Sequence, residues 1–182
     1  NSTTMKMITG FLTATAGQIP VAGFDIEQKP IEAKSRIGYL PEGAPAYGEM
    51  TPAQFLEFIA DIRDMPRATR SARVTEVVAQ LHLENVLHQR IETLSKGFKR
   101  RVGLAQAILH DPEILIMDEP TDGLDPNQKH EVRTLIKEMA AEKAIVISTH
   151  ILEEVDAVCT RAVIINRGEV IFSGTPRELA QR

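Results

Sequence analysis

A chain of 182 residues is long enough for one sizeable domain, and its 43% hydrophobic and 25% charged residues are ordinary for a globular protein. The net charge of −4 gives no electrostatic case for nucleic acid binding, and the single cysteine, Cys159, excludes an internal disulfide. No apolar run approaches the ~20 residues that a membrane-spanning helix needs, so we expect any membrane role to depend on a partner.

The chain is predicted to open with a helix over residues 1–10, which begins at Ser2 and Thr3 and ends at Gly10. Hydroxyls at the start of a helix usually cap it. They also match the last position of the phosphate loop G-x-x-x-x-G-K-[ST], where a hydroxyl binds Mg²⁺ and main-chain amides bind phosphate. For this fragment alone, capping is the simpler interpretation.

Two predicted strands and a loop follow. Residues 17–25 alternate roughly as a strand, with Gly23 suited to a turn, and residues 36–40 (RIGYL) predict a second strand that ends just before Glu42. Residues 42–50 hold two glycines and a proline and predict the clearest loop of the chain.

Two amphipathic helices come next, without a strand between them. This order predicts a helical insertion in an otherwise alternating α/β chain. Apolar residues at helical spacing mark both helices and are predicted to be core: Phe55, Phe58, Ile59 and Ile62 after Thr51, then Val74, Val77, Val78 and Leu81 within residues 68–81.

The sequence LSKGF, residues 94–98, opens another predicted helix, which runs to His110 with Ser95 as its N-cap. Four basic residues are predicted to give its first turns a positive face: Lys96, Lys99, Arg100 and Arg101. A basic run is usually a solvated surface. Since cations oppose the helix macrodipole at this end, the face also suits a bound anion.

The chemistry predicted from this sequence centres on ILIMDEPTDGLDP, residues 114–126. Four apolar residues predict a parallel strand buried on both faces, and ligands of such sheets bind beyond the carboxyl ends of the strands. Asp118 is therefore placed to hold a hydrated Mg²⁺, and Glu119 to orient or deprotonate water, as phosphoryl transfer from a nucleotide requires. A strand that ends in solvated acids is the simpler alternative.

A further buried strand is predicted at residues 144–149 (AIVIST), after one more amphipathic helix. It delivers His150 to the same sheet edge as the two acids, which favours a functional histidine over a structural one. Residues 161–166 and 169–173 predict a hairpin, and Thr175 begins a short closing helix.

In this order, the phosphate-loop fragment, the helical insertion, LSKGF, ILIMDEP, GLD and the strand-end histidine resemble the nucleotide-binding domain of ATP-binding-cassette (ABC) transporters. The resemblance covers essentially the whole chain. It implies an α/β fold with a P-loop NTPase-like, mainly parallel sheet and a helical insertion subdomain. It also implies one ABC ATPase domain, residues 1–182, with a RecA-like core (1–42 and 111–182) and a helical subdomain with the signature motif (43–110).

The resemblance implies roles for residues of the nucleotide site. Asp118 matches the Walker B acid that positions Mg²⁺, and Glu119 matches the carboxylate that activates water. His150 matches the switch histidine that senses the γ-phosphate of ATP. Ser2 matches the Mg²⁺-ligating hydroxyl of the Walker A motif, and Thr3 a further phosphate contact.

Other matched residues belong to a shared, dimeric site. The resemblance implies that Ser95 and the Gly97 amide contact ATP held by the other subunit, with Lys96 in place of a glycine but compatible with phosphate. Asp125 matches the D-loop, which crosses the dimer interface. Glu42 stands where most members have the Q-loop glutamine; a carboxylate there suits Mg²⁺ or water, and YLPE resembles ABC-2-type exporters.

The chain departs from the family most at its start. It begins one residue before Ser2, with Asn1 at the Walker A lysine position, so the glycine-rich loop, the strands before it and the aromatic that stacks on adenine are not in this sequence. We expect a longer protein that carries them, and we expect these 182 residues alone to be inactive.

The resemblance implies an ATP- and Mg²⁺-dependent ATPase that pairs with a second copy, or with another ABC ATPase subunit, and drives a separate transmembrane permease. Tyr47, in the 42–50 loop, is the expected permease contact. The expected location is cytoplasmic, peripheral at the inner face of the cell membrane, with no nucleic acid partner. The analogy at Glu42 favours an exporter.

Two alternatives remain. One is an ABC ATPase that acts on DNA or the ribosome, a class that typically carries coiled-coil insertions, tandem cassettes or basic surfaces. The other is a non-catalytic interaction module, which the missing phosphate loop alone supports.

Overall fold

The computed structural model describes residues 2–181, so Asn1 lies outside the described residues. The helices are α1 (Ser2–Ile8), α2 (Pro30–Ser35), α3 (Pro52–Ile62), α4 (Arg67–Gln80), α5 (Lys96–Ile108), α6 (Pro126–Met139), α7 (Leu152–Val158) and α8 (Pro176–Ala180). The strands are β1 (Pro20–Val21), β2 (Phe24–Asp25), β3 (Ile37–Leu40), β4 (Ile114–Asp118), β5 (Ala144–Ser148), β6 (Ala162–Asn166) and β7 (Glu169–Gly174). Within residues 2–181, no helix is both long and apolar enough to cross a membrane.

A three-stranded parallel sheet in the order β3-β4-β5 forms the centre of the fold. The predicted strand at residues 114–118 is its middle strand, and Leu115, Ile116 and Met117 are fully buried. Parallel strands need crossover connections, and here α3, α4 and α5 lie between β3 and β4, while α6 lies between β4 and β5. The expected α/β architecture with a helical insertion is therefore what the structure has.

The prediction that residues 144–149 form a buried strand is wrong for one face. Within the described residues, β5 pairs with β4 only, at the edge of the sheet. Its burial alternates, and Val146 keeps 40% of its surface exposed. Because the sequence is apolar throughout, periodicity gave no sign of this difference between the faces.

The first forty residues differ most from the sequence expectation. Residues 17–25 form only two paired residues on each side of a turn at Ala22 and Gly23, both with positive φ. The helix α2, which starts at Pro30, was not predicted. These short elements build a second apolar cluster on one face of the sheet, formed by Met5, Val21, Ile26, Ala33, Ile37 and Ile116.

The two predicted amphipathic helices are confirmed as α3 and α4. Thr51 caps α3 through a capping box with Gln54, in which each side chain bonds the other residue's main-chain N–H. The predicted apolar stripe of α3 is only partly core, because Ile62, in its last turn, is 62% exposed. α3, α4, α5 and the central sheet share one continuous apolar cluster.

The predicted C-terminal hairpin and closing helix are also confirmed. β6 and β7 pair antiparallel across Arg167 and Gly168, which both have positive φ, as a tight turn requires. Thr175 caps α8 in a further capping box with Glu178.

Candidate functional site

The carboxyl end of β4 meets the carboxyl end of β5 at a buried polar pair. Asp118 is in register with Ser148, and the Ser148 hydroxyl donates a hydrogen bond to Asp118 Oδ1. Only 1% of Asp118 and 4% of Ser148 is exposed. The second carboxylate oxygen, Asp118 Oδ2, is buried and has no hydrogen-bond partner within the described part of the chain.

Glu119 follows in a conformation that its side chain does not favour. Its φ of 49° lies in the left-handed region, which is uncommon for a residue other than glycine. Its main-chain N–H donates to the Ser148 carbonyl at 3.1 Å, and its own carbonyl accepts from Arg100 Nη2 at 2.7 Å and from the Asp122 amide at 3.1 Å. The N–H of Glu119 is therefore held by β5, and its carbonyl is held by α5 and by the turn that follows β4.

His150 contacts the Glu119 carboxylate directly. Its Nδ1 lies 3.0 Å from Glu119 Oε1, and its side chain is 68% exposed while that of Glu119 is 19% exposed. The hydrogen bond that His150 donates to Glu119, followed by the charge of Glu119, raises the pKa of His150. A protonated His150 thus forms an ion pair with the carboxylate that is the predicted base.

The residues at this edge fit a hydrated magnesium ion. A buried carboxylate oxygen without a donor costs desolvation free energy unless a cation binds it, and Asp118 Oδ2 is such an atom. Over residues 2–181, no group of three His, Cys, Asp or Glu side chains could enclose a metal. Mg²⁺ in nucleotide sites needs no such group, because one or two carboxylates, waters and phosphates are its usual ligands.

The signature turn begins α5 and packs on the start of α6. Ser95 is confirmed as the N-cap, because its side chain accepts from the Phe98 amide at 3.3 Å. Gly97 is buried against the Gln128 side chain, so that a Cβ at Gly97 would lie 2.5 Å from Gln128 Nε2. The exposed Lys96 side chain passes beside Gly123. Its Nζ lies 3.6 Å from the position that a Cβ on Gly123 would occupy.

The expected positive face at the start of α5 is wrong, because the basic side chains diverge. Lys99 Nζ donates to the Glu92 carbonyl at 2.8 Å. Arg100 turns inward and is only 6% exposed. Arg101 forms an ion pair with Glu131 and donates to the Leu81 carbonyl. Consecutive residues on a helix point about 100° apart, which separates these three groups.

The remaining predicted residues occupy separate positions around this edge. Asp125 is exposed and caps α6, where its side chain accepts from the Gln128 amide at 3.0 Å. Glu42 is exposed in the loop after β3, and its charge contributes to a raised pKa of Tyr39, after burial and Asp118. Ser2 and Thr3 begin α1, which packs against β4.

The loop at residues 42–50 carries a small aromatic cluster. Tyr47 is 57% exposed, and its ring packs edge-on against Phe58 at 5.4 Å and Phe55 at 6.3 Å between centroids. One side of the Tyr47 ring is thus anchored on α3.

Sequence reasoning missed two residues of the site, Ser148 and Arg100. For Ser148 the available signal was its place as a polar residue at the end of an apolar run, and the structure brings it into register with Asp118. For Arg100 the signal was its spacing: with Gly97, Leu104 and Ile108 it follows the buried face of α5.

Comparisons with known proteins agree with this geometry. The model of the family described as ABC transporter matches residues 1–122. The chain is 35% identical over 181 residues to the uncharacterized ABC transporter ATP-binding protein YxlF of Bacillus subtilis, covering 100% of this chain and 60% of YxlF. It is 36% identical to the linearmycin resistance ATP-binding protein LnrL of the same species, covering 100% of this chain and 58% of LnrL. The chain thus spans about three fifths of the length of each relative.

A solved structure described as the ATP binding subunit of an ABC transporter superposes with a TM-score of 0.87 at 31% identity, covering 100% of this chain and 76% of that one. The similarity therefore extends through β5 and the C-terminal hairpin, beyond the residues that the family model matches.

Proposed function

Because the chain belongs to the ABC transporter family, we propose that it is the ATP-binding and ATP-hydrolysing subunit of an ABC transporter. The observation that carries the proposal is the pair at the carboxyl end of β4. Asp118 is buried with one oxygen free, and Glu119 lies beside it with its carboxylate partly exposed. Cation binding and proton abstraction from water are the two tasks that nucleotide hydrolysis gives to carboxylates.

In this proposal Asp118 holds Mg²⁺ through its free oxygen, with Ser2 and Glu42 as further ligands. When bound, Mg²⁺ would neutralise part of the negative charge on the phosphates. Glu119 accepts the proton of the attacking water, and the exposed His150 contacts the γ-phosphate. His150 pairs with one oxygen of the Glu119 carboxylate in this structure, which leaves the second oxygen to accept the proton of water.

The ATP site is completed by residues of both subunits in a head-to-tail dimer. We assign Thr3 to the phosphates of its own subunit's ATP, and Ser95, Lys96 and the Gly97 amide to the ATP of the partner subunit. Asp125 lies at the interface between the subunits. The exposure of Ser95 and Lys96 supports this assignment, because both side chains are accessible to a second subunit.

The proposal extends to the organisation and setting of the protein. Residues 1–42 and 111–182 form the nucleotide-binding core, and residues 43–110 form the helical subdomain. The exposed Tyr47, which packs against α3, supports a permease contact in the 42–50 loop, with the chain at the cytoplasmic face of the membrane. The similarity to LnrL, named a linearmycin resistance protein, supports export.

Replacement of Glu119 by Gln tests the catalytic assignment in the full-length protein. The amide keeps the shape of the carboxylate but not its basicity, so ATP turnover should fall about 10²–10⁴-fold while ATP binding is retained. ATP-dependent dimers should then accumulate in gel filtration. Glu138→Gln, an exposed change on α6, is the matched control. Turnover near the parental rate in Glu119→Gln would remove Glu119 from the role of base.

A mixed-dimer experiment tests whether Ser95 acts on the partner's ATP. A substitution at Gly97 would also displace the Gln128 side chain, which belongs to the capping box at the start of α6. Ser95→Asp keeps an N-cap oxygen but adds a negative charge where phosphate is expected. Mixing Ser95→Asp with Glu119→Gln should restore part of the turnover, since one of the two sites then has both residues intact. Tagged pull-down establishes subunit exchange. With exchange shown and no recovery, either the shared site or the assumption that one intact site turns over without its twin is contradicted.

A further inference from the structure

We propose that Arg100 is a positioning residue for Glu119, and that it links the signature helix to the predicted catalytic base through the Glu119 carbonyl. The catalytic consequence rests on the function proposed above, whereas the structural link does not. The hydrogen bond from Arg100 goes to the main-chain carbonyl of Glu119.

The contact itself is short and buried. Arg100 Nη2 donates to the Glu119 carbonyl at 2.7 Å, and only 6% of Arg100 is exposed. The same carbonyl accepts from the Asp122 amide at 3.1 Å, which closes the turn after β4. Hydrogen bonds from charged donors are about twice as strong as neutral ones, so Arg100 is the stronger of the two partners.

The conformation of Glu119 explains why such a partner is needed. With φ at 49°, the residue lies in a left-handed backbone region that is unfavourable for residues other than glycine. It keeps this conformation because its N–H is held by Ser148 of β5 and its carbonyl by Arg100 of α5. Release of either contact lets the main chain relax and moves the carboxylate.

The surroundings of Arg100 show that it is more than a packing residue. Burial lowers the pKa of Arg100, and the negative charges of four acids oppose this shift: Asp122, Glu119, Glu42 and Asp118. Nη1 of Arg100 is buried without a hydrogen-bond partner within the described residues. Burial of a cation here costs desolvation free energy. In return, the positive charge reduces the mutual repulsion of the acids that the proposed site requires.

The test compares Arg100→Met with Arg101→Met in the full-length protein. Methionine keeps most of the volume and removes both the charge and the donors. Arg101, the next residue, also has a mostly buried side chain, 18% exposed, but its partners are Glu131 and the Leu81 carbonyl. Arg100→Lys retains the positive charge but replaces the planar guanidinium with a single ammonium group. Amide hydrogen exchange of Glu119 and Asp122 is measured in nucleotide-free protein, and kcat and KM for MgATP are measured separately.

We expect Arg100→Met to accelerate exchange at both amides by about tenfold or more relative to Arg101→Met, the effect of one lost charged hydrogen bond. Its kcat should fall about 10- to 100-fold with KM for ATP unchanged, because only the base is displaced. Arg100→Lys should recover part of both effects.

Equal exchange rates at Glu119 and Asp122 in Arg100→Met and Arg101→Met would overturn the proposal. A raised KM for ATP with an unchanged kcat would also overturn it. If Arg100→Met does not fold, the comparison of Arg100→Lys with Arg101→Lys decides by the same exchange criterion. Accelerated exchange in a protein whose parental form does not hydrolyse MgATP would support the structural link and contradict the proposed function alone.

Discussion

The two ends of the central sheet use their charged groups differently. At the amino ends of β4 and β5, Lys143 Nζ donates to Asp111 Oδ1 at 2.5 Å and to the Pro112 carbonyl at 2.9 Å. At the carboxyl ends, Asp118 Oδ2 has no partner among the described residues. Lys143 and Asp111 at the amino end thus bind one another, whereas Asp118 at the carboxyl end retains an unused oxygen.

This difference separates stability from function along one set of strands. Paired charges with extra hydrogen bonds stabilise the fold, while an unpaired buried carboxylate destabilises it until a ligand binds. Proteins commonly sacrifice stability at a working site in this way. Substitutions at the carboxyl end should therefore lower ATP turnover without loss of stability. Substitutions at the amino end should lower stability without loss of turnover.

The largest expected effect is at the carboxyl end. Asp118→Asn should lower ATP turnover about 10³-fold, because an amide oxygen cannot replace the charge that holds the metal. The unfolding free energy of the nucleotide-free protein should be unchanged or higher by about 1 kcal/mol, as repulsion between acids is relieved. Urea denaturation measures the second quantity. A clear loss of stability would mean that Asp118 is a structural residue.

The next effect concerns His110 at the amino end. Burial, followed by the charge of Arg63, lowers its pKa to about 4, and its Nε2 lies 3.0 Å from the Ile37 carbonyl. The folded pKa is below the ordinary value of 6.5, so the unfolded chain takes up the proton first. Neutral His110 therefore makes its full contribution to the unfolding free energy above pH 6.5. As the pH falls towards 4 this contribution is lost, which lowers the unfolding free energy by up to about 3 kcal/mol.

Denaturation curves between pH 7 and pH 4 check this effect in the parental protein and in His110→Gln. The variant should lose markedly less stability over this range. His88→Gln, at an exposed position, should behave like the parent. Parallel pH profiles of the parent and His110→Gln would show that His110 is not the titrating group.

A smaller loss is expected when the ion pair at the amino end is removed. Lys143→Met should lower the unfolding free energy by about 1–3 kcal/mol, because Asp111 and the Pro112 carbonyl lose a donor whose side chain is only 12% exposed. Turnover should stay at the parental level. Lys137→Met, exposed on α6, is the control for the substitution itself. Reduced turnover at full nucleotide saturation would break the division between the two ends.

The smallest effect is expected for an exposed pair at the same end. Arg36 and Glu113 form an ion pair, but their side chains are 45% and 56% exposed. Glu113→Gln should cost less than about 1 kcal/mol, since water and salt screen such pairs. A cost equal to that of Lys143→Met, in the same urea titration, would show that burial does not decide the strength of these pairs.

The sequence alone predicted the elements whose signals are local. Apolar periodicity identified α3, α4, α5 and α6, and capping residues such as Ser95 marked where a helix begins. The apolar run before Asp118 identified the middle strand, and the order of motifs identified the family. These signals are local because helices repeat every 3.6 residues and strands every 2.

The tertiary structure alone decided which residues meet. Asp118 and Ser148 are 30 positions apart, and Arg100 and Glu119 are 19 apart, so no local pattern connects either pair. It likewise decided that Val146 of an apolar strand is exposed, and that Arg100 of a basic run is buried. A side chain's burial depends on what packs over it, and that is fixed only when distant segments come together.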